Sequence, residues 1–100
     1  MPLRLVISPE AECDLKEAYQ WYEEQVRGLG KHFISSIDSS FSTVQRHPHR
    51  YPTVYKHIRR TLAKHFPYAV FYIVDKRTII VLAVLHQARN SLRWEERMIH

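Results

Sequence analysis

The side chains most able to do chemistry in this chain are a histidine and three cations in its second half. His86 ends a strongly apolar run, and we expect Arg60, Lys64 and Arg89 to lie within its reach. An imidazole titrates near neutral pH, while guanidinium and ammonium groups bind phosphate. These four residues could therefore form a metal-independent ribonuclease set. The alternative is that His86 only makes hydrogen bonds at the end of a strand.

The charges of the chain are unevenly distributed. Fifteen Lys and Arg against ten Asp and Glu give a net charge of +5, and six of the acids fall in the first quarter. Between Arg46 and Arg93 the only acid is Asp75. This basic half predicts an anionic partner (nucleic acid, the ribosome or an acidic protein segment), unless it is only a solvated surface. The residues expected to bind a target are basic and C-terminal, with an indole beside them: Arg59, Arg60, Lys64, Arg89, Arg93 and Trp94.

Nothing in the sequence indicates a metal or another cofactor. The histidines form no HExxH motif and no paired Cys/His spacing, and no carboxylate lies near His47 and His49. The longest apolar run, from Ile79 to Leu85, is too short to span a bilayer, and no signal-peptide pattern opens the chain. We therefore expect one cytoplasmic domain over residues 1–100, without membrane association.

Two helices and a small sheet must position these groups. A short strand from Leu3 to Ile7 precedes Ser8–Pro9, a helix-start signal, and a first apolar stripe continues to about Val26. Gly28 and Gly30 interrupt the pattern, and a second stripe ends before His47–Pro48. The two stripes predict an antiparallel helical hairpin.

After Pro52 the apolar period changes from helical to alternating. We predict strands over Tyr55–Ala63, Tyr68–Val74 and Thr78–His86, the last two joined by a tight turn. Adjacent side chains on a strand point to opposite faces, so Arg59 and Arg60 cannot share one surface. The tail from Asn90 to Ile99 could add a short helix. The predicted class is α+β: a helical hairpin on a small, mostly antiparallel four-stranded sheet of order β-α-α-β-β-β.

An ordered set of short motifs also runs through almost the whole chain. In the helical half these are Asp14-Leu15-x-Glu17-Ala18-x-x-Trp21-Tyr22-Glu23 and Gly28-Leu29-Gly30-x-x-Phe33. In the strand half they are Pro48…Tyr51-Pro52, Arg59-Arg60, Phe66-Pro67-Tyr68-x-Val70-x-Tyr72, Val81–His86 and Arg89…Trp94. No single piece is specific, but the ordered set resembles the RelE/ParE superfamily of type II toxin–antitoxin toxins, and within it the ParE-like plasmid stabilisation proteins. The fold of that superfamily agrees with the prediction above.

The superfamily contains two chemistries, because RelE-like members cut mRNA in the ribosome whereas ParE-like members poison DNA gyrase. The RelE pattern has catalytic lysines, arginines and a C-terminal tyrosine on successive elements. Laid on that pattern, this chain has Arg60 at one lysine position, Leu62 at the other, Ala69 at an arginine and Trp94 at the tyrosine. An indole cannot titrate as a general acid or base. The resemblance therefore favours a ParE-like toxin without catalytic residues, with the His86 set as the alternative.

The resemblance also implies partners. A ParE-like toxin would bind DNA gyrase and would be neutralised by a cognate antitoxin, giving a hetero-oligomer whose antitoxin wraps over the hairpin and sheet. On the first helix the residues expected to meet the antitoxin, or else to pack in the core, are Leu15, Tyr19, Trp21 and Tyr22. Two other readings remain open: a ribosome-dependent mRNA endonuclease, and a degenerate member that retains only antitoxin binding.

Overall fold

The computed structural model describes residues 3–88, in which two helices pack on a mixed five-stranded sheet. The elements in chain order are β1 (Arg4–Ile7), α1 (Pro9–Gln25), α2 (Leu29–Arg46), β2 (Thr53–Tyr55), β3 (Ile58–Leu62), β4 (Tyr68–Asp75) and β5 (Thr78–His86). The sheet order is β1-β5-β4-β3-β2; β1 is parallel to β5, and the other neighbouring pairs are antiparallel. The predicted α+β class is confirmed. The helix predicted from Asn90 lies outside the described residues.

Helix α1 begins where the sequence predicts it. Ser8 is the N-cap, and its Oγ accepts a hydrogen bond from the backbone N–H of Ala11 at 3.2 Å. Pro9 takes the first helical position, where its missing N–H costs no intrahelical bond. Glu10 and Glu12 lie in the first turn, where negative charge complements the helix dipole.

The junction between the two helices is fixed by Glu23. Its Oε1 accepts from the backbone N–H of Gly30 at 2.8 Å, and its Oε2 accepts from that of Gly28 at 3.2 Å. These bonds, the one to Gly28 foremost, lower the pKa of the Glu23 carboxyl below its usual value. Gly28 has a φ of 90°, in the left-handed region that favours glycine. A side chain of α1 therefore caps the N-terminus of α2, which no side-chain cap of its own supports.

The predicted strand over Tyr55–Ala63 is wrong in its extent. The structure has two antiparallel strands there, β2 and β3, joined by a turn at Lys56 and His57, and this raises the predicted four strands to five. Lys56 adopts a φ of 50°, a turn conformation that is usually taken by Gly or Asn. Val54 on β2 and Ile58 on β3 therefore pack against the same apolar cluster from separate strands.

The sheet carries buried apolar side chains on both faces. The larger cluster lies between the helices and the sheet, and Tyr22, Phe33, Phe66 and Tyr68 form its aromatic centre. A second cluster joins small and large side chains from the two longest strands to the β2–β3 hairpin: Ala69, Phe71, Ala83 and Leu85 with Val54 and Ile58. The prediction that Thr78–His86 is a central strand, apolar on both faces, is confirmed.

Strand β5 extends beyond the end of β1, and α1 supplies its partners there. The Ser8 N–H donates to the carbonyl of Val81 at 3.0 Å, and the Ser8 hydroxyl donates to that of Leu82 at 3.3 Å. Farther along, the backbone N–H of Val84 donates to the buried Oδ2 of Asp14 at 3.0 Å. These contacts replace a neighbouring strand and hold the end of β5, which carries His86, against the first helix.

Candidate functional site

The segment from Arg46 to His65 is the most basic part of the described structure. It holds ten basic side chains and no Asp or Glu: Arg46, His47, His49, Arg50, Lys56, His57, Arg59, Arg60, Lys64 and His65. Within residues 3–88, no ion pair joins its arginines or lysines to a carboxylate. The positive charge of this segment is therefore available to attract an anionic partner.

A small hollow on the sheet brings two of the predicted chemical residues together. Arg60 and His86 both line it, and its volume is about 140 Å³. The remaining lining is mostly apolar: Leu62, Ala69, Phe71, Leu85 and Gln87. Leu62 lies directly opposite Ala69 on the paired strands β3 and β4. Two of the three positions that the resemblance assigns to cations therefore meet in this hollow as apolar side chains, and the third is Arg60.

The contacts of His86 limit what its imidazole can do. Its Nδ1 accepts a hydrogen bond from the backbone N–H of Ala88 at 3.1 Å, and its ring packs edge-on against Tyr68 with centroids 5.3 Å apart. Accepting at Nδ1 requires the neutral tautomer with the proton on Nε2. In this arrangement Nε2 is a proton donor, so His86 is poorly placed to act as a general base.

Lys64 does not join this pair. It lines two other hollows, which α2 borders, and it is absent from the lining of the hollow around Arg60 and His86. The backbone carbonyl of Lys64 accepts a short hydrogen bond of 2.5 Å from the hydroxyl of Ser36 on α2. Arg89, the fourth member of the proposed ribonuclease set, lies outside the described residues, as do Arg93 and Trp94. Two of the four predicted residues therefore share a site.

Arg59 makes structural contacts. Its side chain is half-buried, and Nη1 donates to the backbone carbonyl of Tyr51 at 2.6 Å and to that of His49 at 3.3 Å. Arg60, its neighbour, is exposed. The predicted separation of the two arginines agrees with these positions: Arg59 ties β3 to the loop after α2, and Arg60 reaches the small hollow.

A larger groove, of about 880 Å³, lies between α2 and the loop before β4. Its apolar lining comes from Tyr22, Leu29, Phe66 and Pro67. Its polar lining is basic or hydroxylic: His32, Ser35, Ser36, Ser39, Lys64 and His65. No carboxylate is among these residues. The groove can accept an apolar side chain from a partner segment whose flanking residues carry negative charge.

The four residues predicted to meet an antitoxin have different surroundings. Tyr22 is buried in the aromatic cluster and is the one member of the four that lines the groove. Leu15 is half-buried against the core, and Tyr19 is half-buried next to Gly30. Trp21 is 41% exposed, with its ring edge-on to that of Tyr22. Tyr22 thus packs in the core, whereas contact of the other three with an antitoxin stays a prediction.

A third hollow, of about 300 Å³, was not predicted from the sequence. It lies at the C-terminal half of α2, bordered by the loop that follows the helix and by the end of β3. Its lining is rich in cations and hydroxyls: Ser39, Ser40, Thr43, Arg46, His47, Arg50, Tyr51, Thr61, Leu62 and Lys64. The available signal was a helix with serine and threonine at four-residue spacing that leads directly into the basic segment.

Across residues 3–88, no three His, Cys, Asp or Glu side chains are grouped so that they could hold a metal ion. Neither helix in that range has the length and apolar character needed to cross a bilayer.

The chain is similar to known toxins in sequence and in fold. Residues 5–91 match the sequence model of the ParE toxin of the type II toxin–antitoxin system, parDE. Its fold resembles the chromosomal ParDE system of P. aeruginosa, with a TM-score of 0.76, 16% identity, and coverage of 84% of this chain and 95% of that one. It also resembles the RelBE2 toxin–antitoxin complex of Mycobacterium tuberculosis, with a TM-score of 0.62, 17% identity, and coverage of 86% and 99%. No curated protein matches the sequence. The family match over most of its length shows that this chain belongs to the ParE toxins of type II toxin–antitoxin systems.

Proposed function

We propose that this toxin stops growth by binding and blocking DNA gyrase, without cutting RNA. The observation that carries the proposal is the composition of the hollow around Arg60 and His86. It offers one guanidinium and one imidazole, and it has Leu62 and Ala69 where the RelE-like pattern has cations.

Ribonuclease chemistry makes demands that this hollow meets poorly. Cleavage needs a base for the ribose hydroxyl, donors for the added negative charge on phosphate, and an acid for the leaving oxygen. Loss of one such charge-stabilising donor typically lowers kcat by about 10²–10³-fold. With Nδ1 of His86 accepting from Ala88, the described hollow contains no ready base. A positively charged surface that binds a macromolecule is the simpler use of these residues.

The proposal includes a cytoplasmic antitoxin partner, and the apolar groove beside α2 is its proposed docking site. An amphipathic segment with acidic flanks would place an apolar side chain against Phe66 and Leu29 and its carboxylates near Lys64 and His65. The opposite charges would accelerate the encounter. The exposed Trp21 on α1 offers a second contact.

Blocking variants test the groove. Ser35 is an exposed residue of α2 that lines it, so Ser35→Arg should fill the groove while leaving the helix intact. Ser42→Arg, at an exposed position of the same helix outside the groove lining, is the matched control. We expect calorimetric titration with the antitoxin to show weakened binding for Ser35→Arg alone. Equal affinities of the two variants would place the antitoxin elsewhere.

The second candidate is a ribosome-dependent endonuclease, favoured by the one observation that Arg60 and His86 share a hollow. Induction of the toxin in cells, with DNA and protein synthesis followed separately, distinguishes the two targets. If DNA synthesis is lost early, and His86→Gln causes the same loss, the result supports gyrase as the target. Early loss of translation, abolished in His86→Gln, supports the endonuclease. Normal growth without antitoxin would instead indicate a degenerate toxin.

A further inference from the structure

The 300 Å³ hollow beside α2, which the proposed function does not use, has the chemistry of a phosphate site. Three permanently charged side chains line it: Arg46 from the last turn of α2, Arg50 from the following loop, and Lys64 from beyond β3. His47 adds a fourth nitrogen group. Because these cations come from three separate segments, they surround the hollow instead of forming one row along a helix.

The hydrogen-bonding groups of the hollow are suited to an anion. The hydroxyls of Ser40 and Thr43 donate to helix carbonyls four residues earlier, at 3.3 and 3.1 Å, so their protons are not offered to the hollow. Ser39, Tyr51 and Thr61 add hydroxyls that can donate toward the hollow. Arginine guanidinium groups bind phosphate oxygens in a two-point geometry, as they also bind carboxylates.

No negative charge of the described chain competes for these cations. The residues that line the hollow include no Asp or Glu, and none of residues 3–88 forms an ion pair with Arg46, Arg50 or Lys64. One opposing contribution is the partial negative charge at the C-terminus of α2. Arg46 in the last turn offsets it, because its charge has the sign that a helix C-terminus favours.

The size and polarity of the hollow indicate which anion it would hold. At about 30 Å³ per water molecule, it has room for about ten waters, comparable to a phosphodiester group with an attached sugar. Its lining is much less apolar than that of the adjacent groove, with Leu62 and the ring of Tyr51 among its apolar parts. An acidic peptide that also buries apolar side chains would fit better in the adjacent groove, whose lining is more apolar. A nucleic acid backbone needs only cations and donors.

We propose that the hollow formed by Arg46, Arg50 and Lys64 binds a backbone phosphate of nucleic acid, so that the toxin contacts DNA or RNA directly. The inference does not depend on gyrase being the target, because the isolated chain should bind the nucleic acid. Lys64 and Ser39 line both this hollow and the adjacent groove. A partner that fills the groove should therefore weaken phosphate binding.

The test is fluorescence anisotropy of labelled DNA duplex and labelled single-stranded RNA, each titrated with the purified full chain. Arg46→Gln and Arg50→Gln should each weaken binding by about 10- to 100-fold, the loss expected for a hydrogen bond to a charged group. Because the hollow neutralises one phosphate, each should reduce the slope of log affinity against log salt by no more than about 0.9 for duplex and about 0.7 for single strands. Whichever probe binds more tightly identifies the natural source of the phosphate.

Arg27→Gln is the matched control. Arg27 is exposed in the loop before α2, at the opposite end of that helix from Arg46, and its loss changes the net charge equally. It should leave affinity and salt slope nearly unchanged, and thermal unfolding should show that all variants fold. Equal weakening by Arg27→Gln would mean diffuse attraction and would overturn the inference. So would unchanged nucleic acid binding in Arg46→Gln and Arg50→Gln.

Discussion

The buried contact between Asp14 and β5 makes the sharpest stability prediction. Asp14 is 7% exposed, and its Oδ2 accepts from the backbone N–H of Val84 at 3.0 Å, across 70 residues of sequence. Asp14→Ala removes the acceptor and leaves a buried N–H without it. Hydrogen bonds to charged groups contribute about 1.5–3 kcal/mol, and an unsatisfied buried donor costs about 1–3 kcal/mol.

We therefore expect Asp14→Ala to lower the free energy of unfolding by about 2 kcal/mol. For a domain of this size that corresponds to a fall in Tm of roughly 8–16 °C. Asp14→Asn keeps a neutral acceptor oxygen and should lose about half as much. Urea unfolding followed by circular dichroism measures both, and an unchanged slope with denaturant shows that only stability has changed.

The control is Asp38→Ala, which removes the same charge from an exposed position on α2. Surface substitutions of this kind usually stay within about 0.5 kcal/mol. If Asp14→Ala also stayed within that limit, the hydrogen bond to Val84 would not hold β5 against α1, and the account of how His86 is positioned would fail.

Three further predictions concern the helix junction and a buried phenol. A Cβ on Gly30 would lie 2.7 Å from the Cγ of Glu23 and 2.8 Å from the ring of Tyr19, so Gly30→Ala should cost about 1–3 kcal/mol in overpacking against about 1 kcal/mol gained in helix propensity. In chemical denaturation, adding Tyr19→Ala should recover only the part of the loss due to the ring, because the contact with Glu23 remains. Because the pKa of the Glu23 carboxyl is lowered in the folded state, its stabilisation is fully present above the unfolded-state pKa and is lost as pH falls through the folded-state pKa. Glu23→Gln should therefore flatten the acid limb of a curve of stability against pH. Burial raises the pKa of Tyr72 from 10 to about 12 while its hydroxyl donates to the carbonyl of Pro48, so this stabilisation should be present below pH 10 and fade as pH rises toward 12. Tyr72→Phe should remove that dependence and one late-ionising phenol from an ultraviolet titration.

Local signals accounted for most of the fold. Ser8 followed by Pro9 predicted the start of α1 correctly, because a cap and a proline act within one turn. The tight turn between β4 and β5 was also predicted, and Lys76 there has a φ of 57°. The turn at Lys56 was not predicted because it contains no Gly or Asn that would indicate a left-handed residue. Its conformation is set by the pairing of β2 with β3.

The sites depended on distant contacts and were harder to predict. Asp14 was one acid among many on an acidic helix, and its role appears only when β5 passes alongside α1. Arg59 was predicted to bind a target because it is basic, yet its guanidinium donates a hydrogen bond to the carbonyl of Tyr51 in a nearby loop. The hollow around Arg46 and Arg50 combines a helix end, a loop and a strand end, so its members share no period in the sequence.

The central claim is that this toxin acts by binding and not by catalysis. The most direct measurement is plasmid supercoiling by purified gyrase, titrated with the purified chain, alongside His86→Gln. We expect supercoiling to stop as the toxin approaches the enzyme in concentration, and His86→Gln to inhibit equally. Complete supercoiling in the presence of excess toxin would contradict the claim.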